Sequence, residues 1–498
     1  MPKKKTALTI EERLQQALVP AEEQTYEVPE NWVWVRLGSL YEVNPKNKAA
    51  DELDAAFIPM EKISAGMLSE YSYETQEWCK AKKGHTQFAD GDVAFAKISP
   101  CFENRKSMML NNLPNSIGGG TTELIILRNA SINQKYTFWL VSDERFIRGG
   151  VQTYSGTVGQ QRINMDYVRS YPIPLPPLSE QQRIVERIEE LFAKLDEAKE
   201  RLQEVADSFA VRKAAILHKA FTGELTKKHE IEDSIVIRDK LFVERENMVQ
   251  EKVLKRVKIK PLIRDEYKLQ LDKNWVQCKL GEVAFVTKLA GFEYTKYIHL
   301  EDTGEIPVVR AQNVRKGYLD TTNLLYISKS VSDALSRSAL KEKSVLITFI
   351  GAGIGDACVF DENQQYHLAP NVAKVEPFNK SEEKLNVYFL LYYLLSSFGQ
   401  YEIFKNMKAT AQPSLSMETI REIIIPLPSI EEQHEIVRLI DDLLARERAA
   451  QQAAEQALAS IELMKKSILA RAFRGELGTN KASEASALEL LRQVLAEG

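Results

Sequence analysis

The chain of 498 residues repeats itself, and that repetition restricts its fold more than any local pattern does. IPLPPLSEQQRIVERIEELFAKLD, beginning at Ile173, returns as IPLPSIEEQHEIVRLIDDLLARER beginning at Ile425. The same offset persists downstream, where AAILHKAFTGELT around Gly223 becomes KSILARAFRGELG around Gly475. Upstream, GDVAFAKI at Gly91 aligns with KSVLITFI at Lys343, and NWVWVRLG from Asn31 recurs as NWVQCKLG from Asn274. The spacing divides the chain into a connector 1–30, a globular domain 31–178, a helix 179–223, a central connector 224–273, a second domain 274–428, a second helix 429–475 and a last connector 476–498.

Within each domain, short β-rich runs alternate with turn signals, which points to an α/β fold. VAFAKI, ELIILR, VLITFI and the segment before each Pro-rich junction predict strands, while YTFWLVSDERFIR and VYFLLYYLLSSF predict buried helices whose aromatics serve the core. In the long helices, Ile184, Ile188, Leu191, Leu195, Ala198 and Leu202, continued by Val205, alternate spacings of four and three. The second helix keeps the register with Ile436, Ile440, Leu443, Ile461 and Ile468, with Ala450 and Met464 between them. Ser179 with Gln182, and Ser429 with Glu432, predict capping boxes, and Gly223 and Gly475 stand where a left-handed residue ends a helix. At ~1.5 Å per residue each helix is a rod of roughly 64 Å. Two equivalent halves related by a pseudo-twofold axis across such a pair require the helices to run antiparallel. The connectors are charged and carry amphipathic pieces, IEERLQQAL and ALELLRQVLA, and read equally well as solvated tails.

Composition excludes several classes. With 44% hydrophobic and 27% charged residues and no apolar run long enough to cross a bilayer, the chain reads as a cytoplasmic globular protein. Cys79, Cys101, Cys278 and Cys358 form no CxxC pair, so reduced thiols and no metal site are expected. A net charge of −4 is not the footprint of a protein that grips nucleic acid unaided.

The two junctions, the ends AFTGEL and AFRGEL, the opening NWVWVRLG and the segment GDVAFAKISPCFENRK resemble the S subunit of Type I restriction-modification systems over nearly the whole chain. The resemblance implies two α/β target-recognition domains separated by two long helices pairing as an antiparallel coiled coil. It also implies a non-catalytic role on double-stranded DNA. Two modification subunits would carry S-adenosylmethionine and methylate adenine, and restriction subunits would use ATP and Mg. Half-sites read by twofold-related modules lie on the order of 34 Å apart, so a spacer between two readers suits a bipartite, interrupted site.

No catalytic constellation competes strongly. GAGIGDA, Gly351 to Ala357, follows an apolar run as a nucleotide-binding turn would, but the pattern is incomplete and its counterpart is SPCFENR. Ser99-Pro100-Cys101-Phe102 lacks the second proline of a base-holding methyltransferase motif, and no GxxxxGK[ST] occurs. Base edges are read by Arg, Lys, Asn and Gln, while Ser and Thr often hold phosphates. The expected DNA contacts of the first domain are Lys97, Asn104, Arg105, Lys106, Thr121, Thr122, Gln160, Gln161 and Arg162. Those of the second are Arg310, Asn313, Arg315, Lys316, Lys408, Thr410, Gln412 and Ser414. Two other readings stay open at this point: a scaffold spacing two protein-binding domains, and a methyltransferase built on GAGIGDA.

Overall fold

The structure, a computed structural model, describes residues 9–157, 159–226, 231–260, 262, 275–379, 382–405, 407 and 414–497. It divides into two compact units, Met1–Gln203 with Glu455–Gly498 and Glu204–Ala454. In unit 1 one four-stranded sheet runs in the order Glu42–Val43, Leu124–Arg128, Val93–Ala96, Ser107–Met109, all antiparallel. The other runs Glu74–Glu77, Asp54–Ile58, Ile117–Gly120, Thr86–Ala89, with the central pair parallel. Val93, Phe95, Ile125 and Leu127 join one core cluster and Ala94, Leu124 and Ile126 the other. Strands buried on both faces lose the polar alternation of a surface strand, which is why VAFA and LIIL read as unbroken apolar runs. In Ile117–Gly120, a Cβ on Gly118 would fall 2.2 Å from the Phe88 ring and one on Gly119 2.0 Å from the Ala81 carbonyl. Only glycine fits there.

Unit 2 has the same strand order. One sheet is Ala284–Lys288, Val372–Pro377, Ser344–Thr348, Ala357–Phe360. The second is Leu325–Ile327, Ile306–Val309, Tyr366–Leu368, Ala339–Leu340, again with a parallel central pair. In each unit a two-stranded ribbon ties the domain opening to the Pro-rich junction, Val33 opposite Leu175 and Val276 opposite Leu427. The aromatic stretches, expected as one helix each, are two: Gln134–Ser142 and Glu144–Gln152, then Val387–Leu395 and Ser397–Phe404. Asp143 and Ser396 adopt extended backbone between them and cap the second helix, accepting from the Arg145 amide at 2.9 Å and the Gly399 amide at 3.2 Å. A side chain that satisfies a free amide offsets the interruption.

The long helices are Leu178–Asp207 with Phe209–Phe221, interrupted at Ser208, and Ile430–Ala472. In unit 1, Lys465 reaches Asp196 at 2.6 Å and Lys199 reaches Glu462 at 3.4 Å; in unit 2, Arg212 reaches Glu447 at 2.6 Å. Ascending one helix descends the other in unit 1, where the end of the second helix, Leu469 to Phe473, packs against Ile184 and Ile188. In unit 2, Leu217 and Phe221 pack likewise against Ile436 and Ile440. The pair is antiparallel in both. Ile184, Ile188, Ile436, Ile440 and Ile461 are buried, and Leu191, Leu195, Leu202, Leu443 and Ile468 half-buried. Three positions of the expected seam face outward: Val205 is 41% exposed, Met464 50%, and Ala450 is exposed. Phe192, Leu444 and Leu469 are buried instead. Near its ends each helix packs on a globular domain as well as on its partner, so the buried face is wider than a strict heptad seam. Gly223 and Gly475 hold φ of 75° and 72°, and the next amide returns five residues, Glu224 to Lys219 and Glu476 to Arg471.

Each long helix starts on a buried Glu-Gln pair. Glu180 accepts the Trp32 indole N–H at 2.7 Å, Asn480 Nδ2 at 2.8 Å and the Thr479 hydroxyl at 3.3 Å. Glu432 accepts the Trp275 indole at 3.0 Å and the Thr226 hydroxyl at 2.8 Å. Gln181 and Gln433 each accept a domain amide, from Asn133 at 3.0 Å and Asn386 at 2.8 Å, and donate to Pro176 and Pro428 carbonyls at 3.0 Å. The expected capping boxes are thus corrected. Ser429 does cap the Glu432 amide at 3.2 Å, but the Glu432 carboxylate goes to tryptophan and threonine. Ser179 lies inside its helix, because Pro177 occupies the position of Ser429.

Connector segments complete each unit. In unit 1, helices Ile10–Ala17 and Ala487–Glu497 pack together through Leu14, Ala17, Leu491 and Leu495, with Arg13 donating to the Leu495 carbonyl at 3.0 Å. In unit 2, helix Ile231–Gln250 buries Ile237 and Leu241.

Two outcomes follow. Glu432→Ala leaves the buried Trp275 indole N–H and the half-buried Thr226 hydroxyl without this acceptor, so it should destabilise unit 2 by about 2–4 kcal/mol. Hydrogen exchange of the unit 2 amides across a urea series reads the loss directly. His367 is fully buried beside Ser332, and burial, aided by Lys374, pushes its pKa from 6.5 down to about 4. The unfolded chain then binds the extra proton between those values, so unit 2 should lose stability as pH falls from 6.5 toward 4, by about 2 kcal/mol between pH 7 and 5. His367→Gln should flatten that slope in urea midpoints.

Candidate nucleic-acid interface

In unit 1 the strand Val93–Ala96 ends in a cluster of polar loops. Lys97 donates its amide to the Glu123 carbonyl at 2.8 Å and accepts from the Ile163 amide at 3.0 Å, while Ser99 donates to the Gln161 carbonyl at 2.8 Å. A hairpin closed by reciprocal Ser155 and Arg162 bonds of 3.1 and 3.0 Å sits beside them. A third loop, closed by the Ile63 and Tyr71 bridge, is fastened where the Gly66 amide meets the Asn104 carbonyl at 2.7 Å. These bonds bring Lys97, Asn104, Thr121, Thr122, Gln160, Gln161 and Arg162 onto one surface.

Their availability differs. Asn104, Thr122 and Gln160 are exposed, and Lys97, Thr121 and Gln161 are half-buried. Arg162 closes its fork on Glu123 at 2.7 and 2.9 Å. Arg105, expected to face DNA, instead turns inward to the Ser142 carbonyl at 3.1 Å and to Glu144. Lys106 likewise turns to the Met60 carbonyl at 2.9 Å. Both lock the loop that presents Asn104.

Unit 2 repeats the frame. The Leu415 amide meets the Phe349 carbonyl at 3.0 Å, the Phe349 amide meets the Asn371 carbonyl at 2.9 Å, and Ile350 bridges Ser414 as Ile98 bridges Arg162. Gly351 to Asp356 is the turn of an antiparallel hairpin, with Thr348 and Asp356 paired at 2.9 Å and φ of 111° at Gly351 and 85° at Gly355. A glycine turn between antiparallel strands has no helix N-terminus to hold a phosphate, which removes the structural basis for a nucleotide-binding GAGIGDA. The hairpin Val314–Arg315 and Tyr318–Leu319 abuts it, the Gly317 amide donating to the Ala357 carbonyl at 2.9 Å.

Lys316 is exposed at that hairpin's turn, and Arg315 stands 3.8 Å from Asp320. The hydroxyl and amide of Thr322, at 2.6 and 3.0 Å, hold the Asp320 carboxyl below its ordinary range. Arg310 donates to the Asn323 carbonyl at 2.7 Å. Asn313, expected at DNA, is buried and bonds the Arg310 amide and the Asp320 carbonyl at 3.0 and 2.9 Å; it shapes the loop and is shielded from any ligand. Ser414 is half-buried, while Lys408, Thr410 and Gln412 lie outside the described residues.

Sequence reasoning passed over two segments of this surface. One is the loop between Ile63 and Tyr71, whose Leu68 is 60% exposed; the other is the glycine turn at 351–356. The two halves match here, because Ile63 and Val314 follow equivalent turns, Met60–Lys62 and Ala311–Asn313. Among the described residues no group of His, Cys, Asp and Glu is arranged to hold a metal ion, and no helix is long and apolar enough to cross a membrane.

Comparison with known proteins places this architecture. The family model described as Type I restriction modification DNA specificity domain matches residues 29–207 and 272–457. The Type I restriction enzyme EcoAI specificity subunit of Escherichia coli is 27% identical over 478 residues, covering 86% of this chain and 80% of the relative. The MjaVIII specificity subunit of Methanocaldococcus jannaschii is 21% identical over 445 residues, covering 86% and 91%. Among solved structures, the HsdS subunit from Thermoanaerobacter tengcongensis superposes with a TM-score of 0.60 at 19% identity, over 91% of this chain and 99% of that one. A duplicated domain pair matched in both halves settles the assignment: the chain belongs to the Type I restriction-modification DNA specificity family, whose members are non-catalytic DNA-recognition subunits.

Proposed function

We propose that the chain reads a bipartite, interrupted DNA site, one half by each unit, and thereby directs adenine methylation and ATP-dependent restriction by partner subunits. The observation that carries this reading is the repeated loop frame, Lys97 with Glu123 and Ile163 in unit 1 and Phe349 with Asn371 and Leu415 in unit 2. The frame is constant while the loops on it differ, as two readers of different half-sites require. The modules are the target-recognition domains 31–178 and 274–428, with 179–223 and 429–475 as spacers and 1–30, 224–273 and 476–498 as connectors.

In this reading Lys97, Asn104, Thr121, Thr122, Gln160, Gln161, Arg315, Lys316 and Ser414 face DNA. Arg105, Lys106, Arg162 and Arg310 shape the loops. Two modification subunits supply S-adenosylmethionine chemistry, restriction subunits supply ATP and Mg chemistry, and the chain itself contributes no cofactor. With a net charge of −4, it shares the phosphate contacts with those partners in the cytoplasm.

Replacing residues 31–172 with the matching segment of a related subunit should change one half of the methylated motif, read from genomic DNA, and leave the other intact. A swap that altered both halves would overturn independent reading. Deleting 199–205 with 451–457 removes one heptad from each helix and shortens the pair by about 10 Å. Because B-DNA rises ~3.4 Å per base pair, the gap in the methylated motif should change or binding should be lost. An active deletion variant with the original gap would show that the helices do not set it.

A further inference from the structure

The long helices carry one position twice with opposite electrostatics. In unit 1 Lys465 meets Asp196 at 2.6 Å, its ammonium 5.1 Å above the Phe192 ring. The repeat offset that takes Phe221 to Phe473 takes Lys213 to Lys465 and Asp196 to Arg448. Unit 2 therefore sets two cations where unit 1 has an ion pair. The adjoining contact of Arg212 with Glu447, at 2.6 Å, establishes the register that brings Lys213 beside Arg448. Lys316 is the third member, at a hairpin turn whose Gly317 lies against Leu395 of the helix that packs on Phe221; burial first, then Arg448 and Lys316, push the half-buried Lys213 ammonium below its ordinary range.

Among the described residues none of the three has a carboxylate partner; Arg448 donates only to the Leu444 carbonyl, at 3.2 Å. Three neighbouring cations without a hydrogen-bonded counter-ion repel one another, and an anion placed among them relieves that repulsion. The group borders the candidate reading surface, because the turn bearing Lys316 is tied to the glycine turn through Gly317 and Ala357.

We propose that Lys213 and Arg448, one from each long helix, form with Lys316 a phosphate-binding site that holds the DNA backbone beside the half-site read by unit 2. The proposal rests on the DNA-reading role argued above and adds a duty to the helices, which then clamp DNA as well as space the readers. Unit 1, with its pair already neutralised, has no such clamp at the equivalent position.

The decisive variant is Arg448→Asp, which recreates in unit 2 the pairing that unit 1 uses, so the fold should be kept and the urea midpoint of unit 2 should not fall. The complex of chain and modification subunits is titrated with duplex carrying both half-sites over a range of salt. Affinity near 0.15 M salt should fall about tenfold, and the slope of log K against log salt should flatten by about 1 to 2. The methylated motif should stay the same, and DNA lacking the half-sites should weaken by a similar factor. Lys213→Ala alone should show the same pattern, with the slope flattened by about 1. Unchanged affinity and slope in both variants would overturn the site. So would impaired assembly with the modification subunits at an unchanged slope, since the cations would then serve an acidic protein surface. Absence of site-specific binding by the unsubstituted complex would instead overturn the DNA-reading role itself.

Discussion

A buried carboxylate at the first turn of each long helix holds the rest of the structure in place. Glu180 and Glu432 each join three parts of the chain that are far apart in sequence: a domain opening through tryptophan, the start of a helix, and the residues that follow the end of the other helix. A charge removed from water in this way is tolerated only when its oxygens are filled, and here indole, hydroxyl and amide donors fill them. The adjacent glutamines then fix the aromatic helices through Asn133 and Asn386. Domain and helix are thereby joined with little freedom, so each loop cluster has a defined aim relative to its own helix.

On this invariant frame the two reading surfaces diverge. Ile98 with Arg162 and Ile350 with Ser414 mark the same bridge, yet unit 1 places a charged fork there and unit 2 a small hydroxyl. The loop closed by Ile63 and Tyr71 is long, whereas Arg315 and Tyr318 close a two-residue turn. Loops carry such variation because their side chains contribute little to the cores beneath them. Phe102 and Ile163 stay buried under the variable residues and keep the surface in place.

The duplication, the strands and the antiparallel helices were legible because each leaves a periodic or repeated trace. Helix breaks at Asp143 and Ser396 were not, since a polar residue within an apolar run looks the same whether it caps a new helix or interrupts a face. The seam was read too strictly at Val205, Ala450 and Met464 because heptad logic assumes that only the partner helix buries a face. Candidate contacts were the least legible. Nothing local separates Asn104, which is exposed, from Asn313, which is spent on its own loop, nor reveals that Glu144 and Met60 receive Arg105 and Lys106. Those partners lie tens of residues away, and a one-dimensional pattern does not record them.

The packing of the last helix into unit 1 also orders events in time. Unit 2 is drawn from one continuous stretch, 204–454, whereas unit 1 closes only when Thr479 and Asn480 reach Glu180 and when Leu491 and Leu495 cover Leu14. On a ribosome, which releases the chain from its N-terminus, the reader encoded second has all its parts before the reader encoded first. A chain stopped before Thr479 therefore carries one finished reader and one left open, and emergence of residues 479–495 becomes the step that makes the pair.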